Sequence, residues 1–597
     1  MIVPDKWADA PVVLCEDSLL CDLKVDKNEN NLDITEISWY KVQRSNTGDL
    51  RELRFWDNEF IEKKPWLQVM TFDDNGKREK VGNDCIRRER TSEDPRAQFN
   101  IYVHKTGIFV TKVAISSYDR VRFIRTEQRR SKVKAVFFGR IIMRGPYPIV
   151  HKTVRIRVPE GMGNTVGVFR GGAANMDTIT RHEGATSVIT VSCTDLGSLP
   201  NKNILYPERW VPSVHLRFPP KAAALYSWKQ IGDYYLDMIA GPMRPSADID
   251  SAVKSIKAQK APMIEAAFGF IKQHTHYYGS WEGMHGFVPR SPAEVLRNGY
   301  GDCKELSLLL CTLLRGAGRE SFPALVSARR EFMQANSEFP SLGVFNHMIV
   351  AVPEEGRMWY LDPTSTPATA ATSYYNVIGR KTLVLVPGAS VVDSVPFGKD
   401  YQNDVTTLNT ITRGQDGGWR MEGTIRQCGQ AAYDFEQQLV HRLSLPEEAV
   451  VSSYVRTMFG LPATSVRMVY HGLDSVQLSF VCPFDEFAMR MPRPGFVLQI
   501  PGLHRGYAPE AEEVAEGPWE NCRYRQQDRW VVFPGMAKNS FYSCVNRYAS
   551  GRWRCFGDTV ERDYAAQQAV FESITAPGCQ TLVGERNRFA KGTIWKE

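Results

Sequence analysis

The residues most able to do chemistry lie in Gly301-Asp302-Cys303-Lys304-Glu305-Leu306. A cysteine here directly precedes Leu306, Leu309, Leu310, Leu313 and Leu314, which recur at helical spacing. Asp302 suits the N-cap of that helix, and Gly316 and Gly318 suit its end. Cys303 then sits in the first turn, where unpaired N–H groups and the positive end of the helix dipole favour a thiolate. A thiolate there is a nucleophile for acyl transfer. Cys311, deeper among the leucines, reads as structural.

A base and an acid follow. Phe345-Asn346-His347 opens one alternating run, Trp359-Tyr360-Leu361-Asp362-Pro363-Thr364 closes another, and Pro353-Glu354-Glu355-Gly356 lies between them. The pattern predicts a β-hairpin. Folded about the Glu354–Glu355 midpoint, the numbers of facing residues total 709, which sets His347 opposite Asp362. Facing residues have Cβ atoms about 4.5–5.5 Å apart. An imidazole held by a carboxylate is what activates a thiol, so the pattern points to a Cys-His-Asp triad.

Elements on either side must position these groups. Residues up to about 225 read as strands: Ala97–His104, Gly107–Ala114 and Thr153–Val158 alternate, and turns such as Asp73-Asp74-Asn75-Gly76 separate them. Short strands at regular spacing argue a β-sandwich. The eight Arg and Lys residues between Arg120 and Arg140 read as the solvated faces of a hairpin rather than a phosphate-binding stripe. Helices begin at about Trp228, and a second is predicted from Pro262 with Ile264, Phe268 and Ile271 on one face. Beyond about Asp393 strands return, at 406–412, 475–481 and 530–533, with helical insertions near Ala431–Arg442 and Glu561–Ser573. The expected domains are 1–225, 226–393 and 394–597, in a multi-domain α+β chain.

Residues 277–364 resemble the transglutaminase-like thiol superfamily, in particular a bacterial branch in which a β-sandwich precedes the core and a β-rich domain follows it. The resemblance rests on Pro289–Glu305, on Phe345-Asn346-His347 and on Trp359–Thr364; Glu305 stands where the branch usually has Asp. It implies a papain-like core, with Cys303 as nucleophile, His347 as base and Asp362 as orienting acid. The implied reaction is hydrolysis of a peptide or glutamine carboxamide through a thioester, with a protein or peptide as substrate. Amine transfer that cross-links proteins is the alternative, and a binding or assembly protein with a relic triad is another. The Cys303 N–H is one natural oxyanion donor, and Trp281 or Tyr277 is a second donor or a packing aromatic. Relatives of this kind are commonly exported, although Met1–Trp7 has neither the basic nor the apolar region of a signal peptide.

Composition narrows the rest. A net charge of +7 over 597 residues is mild and gives no reason to expect nucleic acid. No 18-residue apolar run predicts a membrane span. His274, His276 and His285 crowd one stretch, but no cysteine or carboxylate completes a zinc site at normal spacing. No EF-hand loop is present, so no metal and no cofactor are expected. The oligomeric state is left open. Twelve cysteines without a C-x-x-C pair do not make a disulfide scaffold, yet Cys544 and Cys555 are symmetric about Ala549–Ser550 and are expected to face each other across a hairpin.

Overall fold

The structure is a computed structural model. It describes residues 4–25, 31–44, 52–58, 62–90, 108–115, 121–134, 137–171, 175–199, 211–218, 227–241, 246–279, 288–328, 339–365, 369–397, 401–441, 445–472, 475–485, 488–490, 496–500, 519–521, 524–531, 540–545, 549–556, 559–566, 569–571, 581 and 592–596. The fold is mainly β, with several sheets. Two compact units divide it: Met1–Tyr360 with Arg380–Ser394, and Leu361–Gly379 with Val395–Glu597.

The first unit opens with an eight-stranded sheet in the order Met176–Glu183, Thr186–Leu196, Ile149–Pro159, Val12–Val25, Asn31–Arg44, Phe123–Lys134, Trp66–Phe72, Arg78–Lys80. Alternation sends Val154, Ile156 and Val158 inward and leaves Arg155 and Arg157 outside that core. The expected strands at 107–114 and 153–158 are present, and the Asp73–Gly76 turn closes with Gly76 donating to the Asp73 carbonyl at 3.0 Å. The predicted strand Ala97–His104 lies outside the described residues.

The basic hairpin does not form. Phe123–Lys134 pairs with Asn31–Arg44 and Trp66–Phe72, whereas Phe137–Ile142 joins Ser213–Phe218 in another sheet. Several of its cations are neutralised locally: Arg125 and Arg129 grip Glu127 at 2.7 and 2.6 Å, and Arg130 grips the buried Glu62 at 2.5 Å.

Among the described residues five helices follow: α1 (Trp228–Ala240), α2 (Ala247–Lys257), α3 (Met263–His274), α4 (Pro292–Asn298) and α5 (Cys303–Gly316). Pro262 is the extended N-cap of α3 rather than its first helical residue; Ile264, Phe268 and Ile271 are buried as the spacing predicts. These helices accompany a five-stranded antiparallel sheet in the order Arg357–Leu361, His347–Glu354, Phe322–Val326, Lys381–Val384, Val391–Ser394.

In the second unit a further eight-stranded sheet runs Ser465–His471, Ser475–Pro483, Trp419–Gly429, Asn403–Arg413, Tyr524–Val531, Thr559–Ala566, Ala549–Phe556, Ser540–Val545. Helices α6 (Gln430–His441) and α7 (Glu447–Phe459) contribute Phe435, Tyr454, Val455 and Met458 to its core. The insertion expected at 431–442 is α6. The one expected at 561–573 is strand instead, Thr559–Ala566 and Ala569–Phe571. Its inward row is Val560, Arg562, Tyr564 and Ala566. An inward arginine reads as polar, so the period of two was hidden.

The cysteine pairing also fails. Cys544 faces Gly551 and Cys555 faces Ser540, a register four residues away from the expected one. Gly551 lies within a strand, not in the turn, and Cys555 is a buried free thiol.

The fully buried Arg562 is matched by Asp528, whose carboxylate accepts from Arg562 Nε at 2.8 Å and Nη2 at 2.6 Å. Thr407 Oγ1 donates to it at 2.7 Å and Gln526 Nε2 at 2.9 Å. Removing one partner of such a pair strands a buried charge. Arg562→Ala is therefore expected to cost about 3–5 kcal/mol in denaturant unfolding, and Arg562→Leu combined with Asp528→Leu to recover most of that loss.

Candidate functional site

The path into α5 is built residue by residue. Ser291 caps α4 by accepting from the Glu294 amide at 3.2 Å, Pro292 occupies the first turn, and Gly299 ends the helix at φ 72°. Tyr300–Gly301 then pairs in parallel with His276–Tyr277, so Tyr277 lies beside Gly301. A Cβ at Gly301 would meet Glu305 Cβ and Val295 Cγ1 at 3.0 Å, so this close approach favours glycine.

Asp302 and Glu305 form a reciprocal capping box. The Glu305 amide donates to Asp302 Oδ1 at 3.2 Å, and the Asp302 amide donates to Glu305 Oε2 at 3.0 Å. Both carboxylates are buried and both have cations. Lys304 Nζ reaches Asp302 Oδ2. Arg290 forks onto Glu305 through Nε at 2.7 Å and Nη2 at 2.6 Å, and its backbone amide adds a contact at 3.1 Å. Burial acts to raise the Glu305 carboxyl, but the Arg290 and backbone hydrogen bonds outweigh it and hold the group below its usual range. Burial wins at Asp302, which is raised.

All residues from Gly301 to Cys311 are buried except Cys303. The two helix cysteines therefore differ sharply. Cys311 is enclosed and its thiol is pushed up to about 12 by burial, whereas Cys303 is half-exposed at the helix start. Tyr235 on α1 is buried nearby; burial first, then the neighbouring Cys303 and Asp302, push its phenol up. Spacing could not single it out, because Ile231, Tyr235 and Ile239 form an ordinary apolar stripe.

His347 is the first residue of its strand and pairs with Val326. Asn346 fixes the entry, its amide donating to the Val326 carbonyl at 3.3 Å and its Oδ1 accepting from the Ala328 amide at 2.8 Å. Ser307 Oγ donates to the Met348 carbonyl at 2.9 Å, locking α5 to this strand. Cys303 is four residues before Ser307, on the same helix face about one turn away. The thiol thus lies on the face turned toward the strand that His347 begins.

The hairpin turn differs from expectation. Glu355 and Gly356 form it, at φ 53° and 75°, between Glu354 and Arg357. Two central residues with positive φ make the type I′ turn that matches strand twist. Facing numbers then total 711 rather than 709, so position 362 is not directly opposite His347. A slip of two preserves the face each side chain takes, where a slip of one reverses it.

Asp362 lies just past its strand, in the second unit. It is buried; Oδ1 accepts from the Thr364 amide at 3.0 Å and from Thr364 Oγ1 at 2.6 Å, and its own amide donates to Ser373 Oγ at 3.1 Å. Of the three histidines considered for zinc, His274 stacks on Phe270 at 4.0 Å and bonds its carbonyl at 2.8 Å. His285 and Trp281 lie outside the described residues.

A solved structure with a similar fold supports this layout of elements. A "putative protease" from Parabacteroides distasonis aligns over 98% of this chain and 100% of its own, at a TM-score of 0.62 and 12% identity. The fold is common to both. A "putative cysteine protease" from Cytophaga hutchinsonii aligns over 43% of this chain and 86% of its own at 11% identity and a TM-score of 0.17. An M1 zinc metallopeptidase from Deinococcus radiodurans also scores 0.17, over 35% of this chain and 42% of its own at 11% identity. Neither of these two bears on the fold. No family model matches the sequence, and no curated protein matches it.

Glu305 sets a testable pH dependence. Its folded pKa lies below the unfolded value of about 4.3. Its stabilisation is therefore complete above that value and is lost as pH falls through the lowered folded pKa. Glu305→Gln should lose about 1–3 kcal/mol at neutral pH, the cost of weakening charged hydrogen bonds. In denaturant melts, the gap between variant and parent should narrow below about pH 4.

Proposed function

We propose that this chain is a cysteine hydrolase of transglutaminase-like type acting on a peptide or glutamine carboxamide. One observation carries the reading: Cys303 alone is accessible in an otherwise buried helix start, on the helix face turned toward the strand that His347 begins. The shared fold with a protein named as a protease supports it.

In this reading His347 takes the Cys303 thiol proton, and the thiolate adds to the amide carbonyl carbon. The Cys303 backbone N–H, unpaired at the first helical position, stabilises the oxyanion. As the tetrahedral intermediate collapses, the C–N bond breaks and the imidazolium gives its proton to the departing amine. A thioester remains. His347 then takes a proton from water, whose hydroxide adds to the thioester carbonyl and releases the acid and the thiol. Asp362 holds the imidazole tautomer and stabilises the imidazolium. Hydrolysis is preferred to amine transfer because a structural neighbour that aligns over its full length is named a "putative protease".

Iodoacetamide labelling followed by peptide mapping tests this without a known substrate. Modification should fall first on Cys303, spare Cys311, and vanish at that site in Cys303→Ala. Labelling that starts at other cysteines and ignores the substitution overturns the reading. Once a peptide substrate is found, Asp362→Asn should lower kcat clearly, by less than the roughly ten-thousand-fold of serine triads, because a thiolate–imidazolium pair partly preforms.

A further inference from the structure

Resting on that reading of Asp362, we infer that Tyr433 is a positioning residue, whose hydroxyl fastens helix α6 to the loop carrying the acid. The loop Leu361–Gly379 belongs to the second unit, with α6. Tyr433 is buried on α6, and its hydroxyl bonds Ser365 Oγ and accepts from Asn376 Nδ2 at 2.6 Å. One oxygen thus ties both arms of the loop. Ser365 is directly linked to the acid, its amide donating to the Asp362 carbonyl at 3.2 Å. Displacing Ser365 therefore displaces Asp362.

The Tyr433 ring is held independently of its hydroxyl. It packs edge-on against Tyr375 at 5.9 Å, in a cluster with Ile378, Tyr374 and Tyr401. Packing alone could be supplied by phenylalanine, and a buried hydroxyl costs free energy unless bonded. The groups that act on the phenol are Asp362 and Ser365 of the loop and Asp434 and Gln437 of α6. Burial first, then the Asp362 and Asp434 charges, push its ionisation up against the Ser365 and Gln437 hydrogen bonds, so it stays a neutral hydroxyl.

The test follows the pH dependence of Cys303 alkylation by iodoacetamide in the full chain, with peptide mapping, for the parent, Asp362→Asn, Tyr433→Phe and Ser365→Ala. The parent midpoint is the reference. Asp362→Asn should raise it, because the imidazolium partner is destabilised. Tyr433→Phe and Ser365→Ala should raise it less, slowing alkylation near about pH 6 on the order of fivefold, what one neutral hydrogen bond is worth. The double variant should go little further than either single one, since both remove the same bond. Thermal melts establish that the variants are folded, and Ser365→Ala carries the comparison if Tyr433→Phe is not. Parent-like midpoints in the folded variants, with Asp362→Asn shifted, overturn the role of Tyr433 and leave the triad standing. A parent-like Asp362→Asn overturns the triad reading itself.

Discussion

The start of α5 is the constraint around which the candidate site is organised. A helix buried along nearly its whole length cannot leave its first N–H groups to water, so the protein must satisfy them internally. Asp302 and Glu305 do this, and two buried carboxylates then demand two cations, Lys304 and Arg290. The result is a charge-balanced cap that holds the backbone on both sides of Cys303 while leaving the thiol outside. Leucines 306, 308, 309, 310, 313 and 314 anchor the rest of the helix, each contributing roughly 1.5–3 kcal/mol of burial.

The neighbouring pieces attach to that cap. Arg290 brings in the segment before α4, and its guanidinium lies over the Tyr300 ring at 4.8 Å. The Tyr278 amide donates to the Gly301 carbonyl at 2.9 Å, and Ser307 brings in the strand that His347 begins. Glu305 serves two of these links at once, reaching back to the Asp302 amide and outward to the Arg290 fork. The Glu305 side chain thus has a structural role here, joining the cap to the segment before α4.

Asp362 has a different setting. Its strand belongs to the five-stranded sheet, but the residues after Tyr360 join the second unit, where Ser373, Thr364 and the Tyr433 hydroxyl bond network surround the turn. The C-terminal β region therefore holds the loop that begins at Asp362. The same region hides charge in its core: the Asp528 and Arg562 side chains are fully buried against each other, as Lys152–Asp17 is nearly buried in the N-terminal sheet at 2.5 Å.

Wherever chemistry was local, the sequence was legible. Leucine spacing, an acidic cap and terminal glycines delimit α5; alternation locates the strands at 108–114, 153–158, 347–354 and 475–481. Those patterns reflect 3.6- and 2-residue periods that the backbone imposes on any buried face. They also single out Cys303, His347 and Asp362, the residues on which the proposed acyl transfer rests. Tertiary structure decided what depends on distant partners. Inward-facing Arg562 turned an expected helix into a strand, because Asp528 from another strand makes its burial tolerable. The basic stretch divided between two sheets once Glu127 and Glu62 neutralised Arg125, Arg129 and Arg130. The turn centre moved by one residue at Glu355–Gly356, where both positions accept positive φ, and the strand register at Cys544/Cys555 shifted by four, as pairing with the neighbouring strands rather than symmetry about a glycine sets it. Tyr235 and Tyr433 were invisible for the same reason: each reads as plain helix core until the fold sets a buried hydroxyl beside a distant charge or loop.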